Sequence, residues 1–194
     1  NYKVYIMADD NIAADYSGNP MVNEQWYLDA YGVKELWNKP IINKTRPVIA
    51  IIDTGVDITH PDLKDNLWTK EGTTDEHGYD FISNTTKIRD YNKHGTHVAG
   101  IAAAANNGVG IVGANPRALI MPITVLQSDG VGNIYTLIKG VDYATQNGAT
   151  VINMSLATYG YSIALRESLE KAYQSAVIVA GAGNDGKCIY ASHY

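Results

Sequence analysis

The 194-residue sequence predicts an α/β fold: a mostly parallel, doubly wound sheet with helices on both faces. Three observations carry that prediction. Val48–Ile52 and Val151–Met154 are continuous apolar runs of the kind found in strands buried on both faces, and Ala176–Ala180 is a further apolar strand. Between these runs lie longer segments with apolar residues at helical spacing, so strands and helices alternate. Asp53, Ser155 and Asn184 stand just past the strands, where ligands bind in parallel sheets.

In chain order, residues 1–19 read as an N-terminal arm, with Val4–Met7 a short strand or an extension outside the domain. Residues 20–194 read as part of a single domain. Trp26, Tyr27, Leu28, Val33, Leu36 and Trp37 form an apolar face at roughly helical spacing. Arg46-Pro47 punctuates the chain before the first strand. Asn66 to Lys93 is a polar, irregular excursion, a type of loop that is usually functional or mobile. His94 to Ala105 is almost wholly small and apolar after its first residue, which suits an interior helix ending near Asn106-Asn107-Gly108. Glycine in a helix costs about 1 kcal/mol against alanine, so Gly95 and Gly100 imply close approach of neighbouring backbone. His97 falls within that helix and reads as a buried structural residue. Leu119–Leu126 is the next strand, with Pro122 marking an edge or a bulge. Ile134, Leu137, Ile138, Val141 and Ala144 mark a helix that stops at Asn147-Gly148. Ser162 is placed to cap a helix carrying Leu165, Leu169, Ala172 and Tyr173.

Composition narrows the class. Hydrophobic residues make up 45% and charged residues 18%, a globular balance. The net charge of -5, with no basic cluster, argues against a nucleic-acid partner. No apolar run is long enough to span a bilayer, and a polar segment with Asp9, Asp10 and Asp15, not a signal peptide, opens the chain. A single cysteine, Cys188, excludes an internal disulfide framework.

The candidate chemistry is acyl transfer. An aspartate after a buried strand, Asp53, can orient a histidine and stabilise its imidazolium. A histidine at a helix mouth, His94, can take a proton from a nucleophile. An asparagine amide, Asn184, can donate to a developing oxyanion.

Five segments in order, Ile51-Ile52-Asp53-Thr54-Gly55-Val56-Asp57, His60-Pro61-Asp62-Leu63, His94-Gly95-Thr96-His97-Val98-Ala99-Gly100, Asn153-Met154-Ser155-Leu156 and Ala182-Gly183-Asn184, resemble the subtilisin-like serine proteases. The resemblance runs from about Gln25 to Asn184. It implies that Asp53 is the orienting carboxylate, His94 the general base and acid, and Asn184 the side-chain donor of the oxyanion hole. It also implies a peptide or protein substrate, clamped as an added strand between Ser155-Leu156-Ala157 and Gly130-Val131-Gly132. Gly181 and Ala182 would open a neutral pocket for the residue before the scissile bond. Ser155 belongs to the substrate strand and is not the nucleophile. Where Ala157 stands, the family usually has glycine.

The loop after the His94 helix resembles the family's calcium site. The implied ligands are Asp62 and Asn107 through side chains and Ala105, Val109 and Ile111 through carbonyls, with Asn19 where relatives often carry aspartate. Gly108, Gly110 and Gly113 also spell a dinucleotide fingerprint, but they follow a helix, whereas that fingerprint opens one. Asp80, Asn84 and Asp90 are read as a solvated acidic loop, with a second cation as the other reading.

The family's G-T-S-x-A nucleophile segment does not occur in the 194 residues. The serine is therefore expected on a complementary C-terminal protease fragment, unless the chain is a shortened one or a relative that only binds peptides. The chain alone is expected to be inactive, to expose apolar strand surface and a sheet edge, and to be poorly stable. Export from the cell is implied by the resemblance and the calcium loop. A non-catalytic peptide-binding module is the other function that fits these residues.

Overall fold

The computed structural model describes residues 16, 18–37, 39, 45–158, 160–184 and 186. Five strands, β1 (Val48–Asp53), β2 (Tyr79–Asp80), β3 (Leu119–Thr124), β4 (Val151–Met154) and β5 (Val177–Ala180), form one sheet in the order β2-β3-β1-β4-β5. Every pairing is parallel, which makes the sheet the expected doubly wound one. Among the described residues there are five α-helices: α1 (Trp26–Ala30) and α2 (Val33–Trp37), which pack on Val112 beyond the sheet, and α3 (His94–Ala103), α4 (Ile134–Gln146) and α5 (Ile163–Ala172), which cover it.

The strand period of two sorts the core into two layers. Ala50 and Ile52 of β1 and Met121 and Ile123 of β3 pack with Leu137, Val141 and Ala144 of α4 and Leu165 and Ala172 of α5. Ile51 and Ile120 face the other way, onto Ala99 and Ala103 of α3. β1 is thus covered on both faces, which is why its sequence shows no alternation. Both predicted caps form: Ser162 Oγ accepts from Leu165 N at 3.3 Å, and Gly148 takes a positive φ of 76° just past α4.

Several expectations need correction. The N-terminal apolar face is split into two short helices by Tyr31-Gly32, with Gly32 at φ 67°. Leu28 is buried there, but Trp26 and Leu36 are exposed. α3 ends at Ala103, because Ala105 N leaves the helical ladder for the carbonyl of Asp62 at 2.8 Å. His97 is exposed, not buried. Pro122 marks no edge, since β3 lies between β2 and β1. The carbonyls of Ile120 and Thr124 accept from Trp68 and Phe81 on the β2 side. Strand alternation puts the Pro122 nitrogen on that side too, just before the two-residue β2 begins, so no ladder bond is lost.

On the far flank, Val177 and Val179 of β5 are 61% and 46% exposed. Among the described residues, β5 presents an apolar, unpaired edge, as expected. Val4–Met7 and Cys188 lie outside the described residues.

Candidate active site

The site is built where β1 stops and α3 starts. Asp53 is the last residue of β1, and its side chain is fully buried. Its carbonyl accepts from Val125 and Leu126 just past β3, fixing the strand end. His94 is the first residue of α3, with its side chain about half exposed. His94 Nδ1 and Asp53 Oδ1 are 2.7 Å apart. The same Oδ1 accepts from Thr54 N at 2.7 Å. A carboxylate oxygen bonded in this way only accepts, so Nδ1 carries the hydrogen and Nε2 is left as an acceptor.

Gly95 makes the approach feasible. A Cβ on Gly95 would stand 2.0 Å from the carbonyl oxygen of Gly55 and 3.1 Å from Asp53 Cβ. The expected close packing of backbone is met here. At Gly100 an added Cβ would meet only Ile111 Cδ1, at 3.4 Å, an ordinary contact.

His94 opens onto a cleft of about 780 Å³. Ser155, Leu156 and Ala157 line one side of it and Gly130, Val131 and Gly132 another. Neither trio is a regular strand. Residues 155–157 run on from β4, and the other segment is a turn held by a Leu126–Gly132 bridge and by Gln127 N to Val131 O at 2.8 Å. Ser155 Oγ accepts from Asn153 Nδ2 at 3.0 Å. Gly181, Ala182 and Asn184 follow β5 on the same edge of the sheet, and Gly181 N donates to Met154 O at 3.1 Å. They are exposed and do not line the cleft that His94 lines.

The loop after α3 closes over Asp62. Ile111 N donates to Asp62 Oδ2 at 3.1 Å, and Gly110, at φ 50°, lies so near that an added Cβ would come within 2.2 Å of the same oxygen. Asp62 is 4% exposed, and its Oδ1 is buried without a hydrogen-bond partner. Asn107 Oδ1 accepts from Val109 N and its amide donates to Pro61 O. Asn19 is 1% exposed and belongs to this cluster: it donates to Asn106 Oδ1 and accepts from Gly108 N. Val109 is exposed and Ala105 buried. No group of three or more His, Cys, Asp or Glu side chains is placed to hold a metal among the described residues. The G-x-G-x-x-G stretch lies in this loop and opens no helix.

Neither reading of the long loop fits: Asp80 is buried and not solvated, and its hydrogen bonds, with those of Asn84 and Asp90, leave no cation cluster among the described residues. Asp80 Oδ1 closes its own turn onto Ile82 N and Ser83 N. Asn84 Oδ1 accepts from the Tyr79 hydroxyl. Asp90 turns inward to the start of α3, a placement the sequence reading missed. The spacing of an aspartate four residues before His94 and a threonine two after it was the available signal.

A model of the subtilase family matches residues 44–193. The chain is 38% identical over 164 residues to the minor extracellular protease Epr of Bacillus subtilis, covering 84% of this chain and 24% of that protein. It is 43% identical over 139 residues to subtilisin DY of Bacillus licheniformis, covering 71% of this chain and 47% of that one. Fervidolysin of Fervidobacterium pennivorans is 36% identical over 192 residues, covering 95% and 27%. The chain therefore spans a quarter to about half of the length of these relatives.

Proposed function

Because the chain belongs to the subtilase family, we propose that it supplies the acid–base half of a serine endopeptidase, acting on peptide bonds with a serine from outside these 194 residues. The observation that carries the reading is the 2.7 Å contact between a fully buried Asp53 and a cleft-facing His94.

In this reading the substrate lies extended in the cleft between Ser155-Leu156-Ala157 and Gly130-Val131-Gly132. Backbone pairing gives affinity, and the flanking apolar side chains give selectivity. Nε2 of His94 takes the proton of the serine hydroxyl as its oxygen attacks the scissile carbonyl, then gives that proton to the leaving amine. Asp53 holds the ring through Nδ1–H and stabilises the imidazolium formed in between. Asn184 would donate to the oxyanion once the segment after β5 is drawn against the cleft by the serine-bearing segment. Gly181 and Ala182 would then wall the pocket for the residue before the scissile bond.

A calcium ion fits the loop around Asp62. The buried Oδ1 of Asp62, which has no hydrogen-bond partner, suits a hard cation that takes oxygen ligands. Asp62 would hold it with Asn107, Ala105, Val109 and Ile111, and Asn19 would steady the loop from the N-terminal side. The ion would supply structural cross-linking, away from the reacting atoms.

Among the described residues no helix is long and apolar enough to cross a membrane. A relative bears the name of an extracellular protease, and that likeness favours a secreted protein.

A fluorophosphonate probe tests the reading on the protein as it occurs in its source. Labelling of a serine there, abolished by His94→Ala in this chain, is the expected result. Peptide binding with no labelled serine would overturn the peptidase and leave a binding module.

A further inference from the structure

We infer that Asp90 is a positioning residue for the His94–Asp53 pair: its carboxylate ties the end of β1 to the first turn of α3. The inference rests on the reading of that pair given above.

α3 starts without a cap of its own. Lys93, at the N-cap position, has the left-handed φ of 81° and makes no side-chain capping bond. Side chains outside the helix do the work instead: Asn92 Oδ1 accepts from His94 N at 3.2 Å, Thr54 Oγ1 from Gly95 N at 3.1 Å, and Asp90 from the residue after them. Asp90 Oδ2 accepts from Thr96 N at 2.9 Å and Thr96 Oγ1 at 2.6 Å. Its Oδ1 accepts from Asn92 N at 3.0 Å, Lys93 N at 2.9 Å and Thr54 Oγ1 at 3.0 Å. The bonds to Asn92 and Lys93 hold the turn in which Lys93 is left-handed, and so fix where His94 enters the helix.

The bond to Thr54 is the link to the acid. Thr54 is the next residue after Asp53, and its N–H donates to the very oxygen that faces His94. Its hydroxyl gives its hydrogen to Asp90 and accepts from Gly95 N at 3.1 Å. One carboxylate therefore touches, through single hydrogen bonds, the neighbour of the acid and the turn that carries the base. Burial opposes the charged form of Asp90 most strongly, but the hydrogen bonds from Thr96, Lys93 and Thr54 outweigh it and hold the carboxyl below its ordinary range.

An asparagine cannot replace it. Each carboxylate oxygen faces at least one backbone N–H, Thr96 on one side and Asn92 and Lys93 on the other. Either orientation of an amide sets an NH₂ against a fixed donor. The expected result is a displaced first turn of α3 and a weakened grip of Asp53 on Nδ1.

The test is the tautomer of His94, read from its ring nitrogen shifts by ¹⁵N NMR on the 194-residue chain, at a pH where imidazoles are neutral. The wild type is expected to hold the Nδ1–H form, and Asp53→Asn to lose it. In Asp90→Asn the ratio of Nδ1–H to Nε2–H should fall roughly tenfold, the effect of losing one hydrogen bond to a charged group. The ring signals of His60, His77 and His97 should stay in place, which separates local repositioning from general loosening. If the signals of His60, His77 and His97 change as well, Thr96→Val replaces Asp90→Asn as the probe. It should lower the ratio by a smaller factor, and Thr96→Ser should restore it. A wild-type ratio in folded Asp90→Asn, or in Thr96→Val where that is the probe, overturns the inference while the pair stands. An Nε2–H tautomer in the wild type, or no effect of Asp53→Asn, overturns the reading of the pair and the inference with it.

Discussion

Gly95→Ala and Gly100→Ala are the same change in the same helix, and the structure gives them opposite signs. On helix propensity alone both should stabilise, by up to about 1 kcal/mol each. At Gly100 the new methyl meets only a flexible side-chain tip at 3.4 Å, so most of that gain survives. At Gly95 it would sit 2.0 Å from the backbone oxygen of Gly55, an atom that cannot swing aside. Relief requires the first turn of α3 to lift off the turn after β1, an overpacking cost at the upper end of the usual range, about 3 kcal/mol. The net expectation is about 2 kcal/mol of destabilisation once the propensity gain is subtracted. For a domain of this size that lowers the thermal midpoint by about 4–8 °C, while Gly100→Ala raises it by about 2–4 °C. Calorimetry or circular dichroism on the two variants at one pH decides the matter. A second readout ties the strain to the site, because the lift separates His94 from Asp53, now 2.7 Å apart. If Gly95→Ala raises the midpoint as Gly100→Ala does, the claim that this glycine exists to seat α3 against the acid is wrong.

Other consequences can be checked with the same chain. Calcium should raise the thermal midpoint and a chelator lower it, with Asp62→Asn abolishing the difference; a chelator-insensitive wild type would refute the proposed ion. Gln25→Ala removes two buried hydrogen bonds to Val112, at 2.8 and 2.9 Å, and strands that residue's N–H and C=O. It should cost about 2–4 kcal/mol, read as a shift in denaturant midpoint at unchanged slope. Asp90, whose native carboxyl is held below its ordinary range, contributes stability that is complete above the unfolded value near about 4 and is lost as pH falls through the lower native value. The stability gap between wild type and Asp90→Asn should therefore be widest at neutral pH and close in acid. The exposed Val177 and Val179 should make the chain bind a hydrophobic dye and self-associate with concentration, and Val179→Lys should suppress both.

The sheet was legible because burial on both faces leaves a plain mark. β1 has no polar residue before Asp53, and the flanking helices carry apolar residues at i, i+3 and i+4. A single physical rule misleads when its neighbours are left out. The missing N–H of Pro122 marks an edge only beside a long neighbouring strand, and β2, at two residues, is too short to leave a pattern. The apolar residues from Trp26 to Trp37 kept helical spacing across Gly32, whose left-handed backbone breaks the helix and turns Trp26 and Leu36 outward. The small and apolar residues around His97 in sequence predict burial. Its face of α3 instead borders a groove shared with His60 and Asp57.

The candidate site divides along the same line. Asp53 and His94 were readable because each stands at a punctuation mark, the end of a strand and the start of a helix, with a residue type suited to proton transfer. Asp90 was not, because its surroundings in sequence are polar and loop-like, and an acidic residue there is most simply solvated. Its partners come from three places, Thr54 after β1, Asn92 and Lys93 in the approach, and Thr96 inside α3, and folding is what brings them together. A chain can advertise the groups that react, since their chemistry restricts the residue type. The groups that aim them are restricted by geometry, and so become visible when a helix with an unhelpful N-cap is asked what caps it.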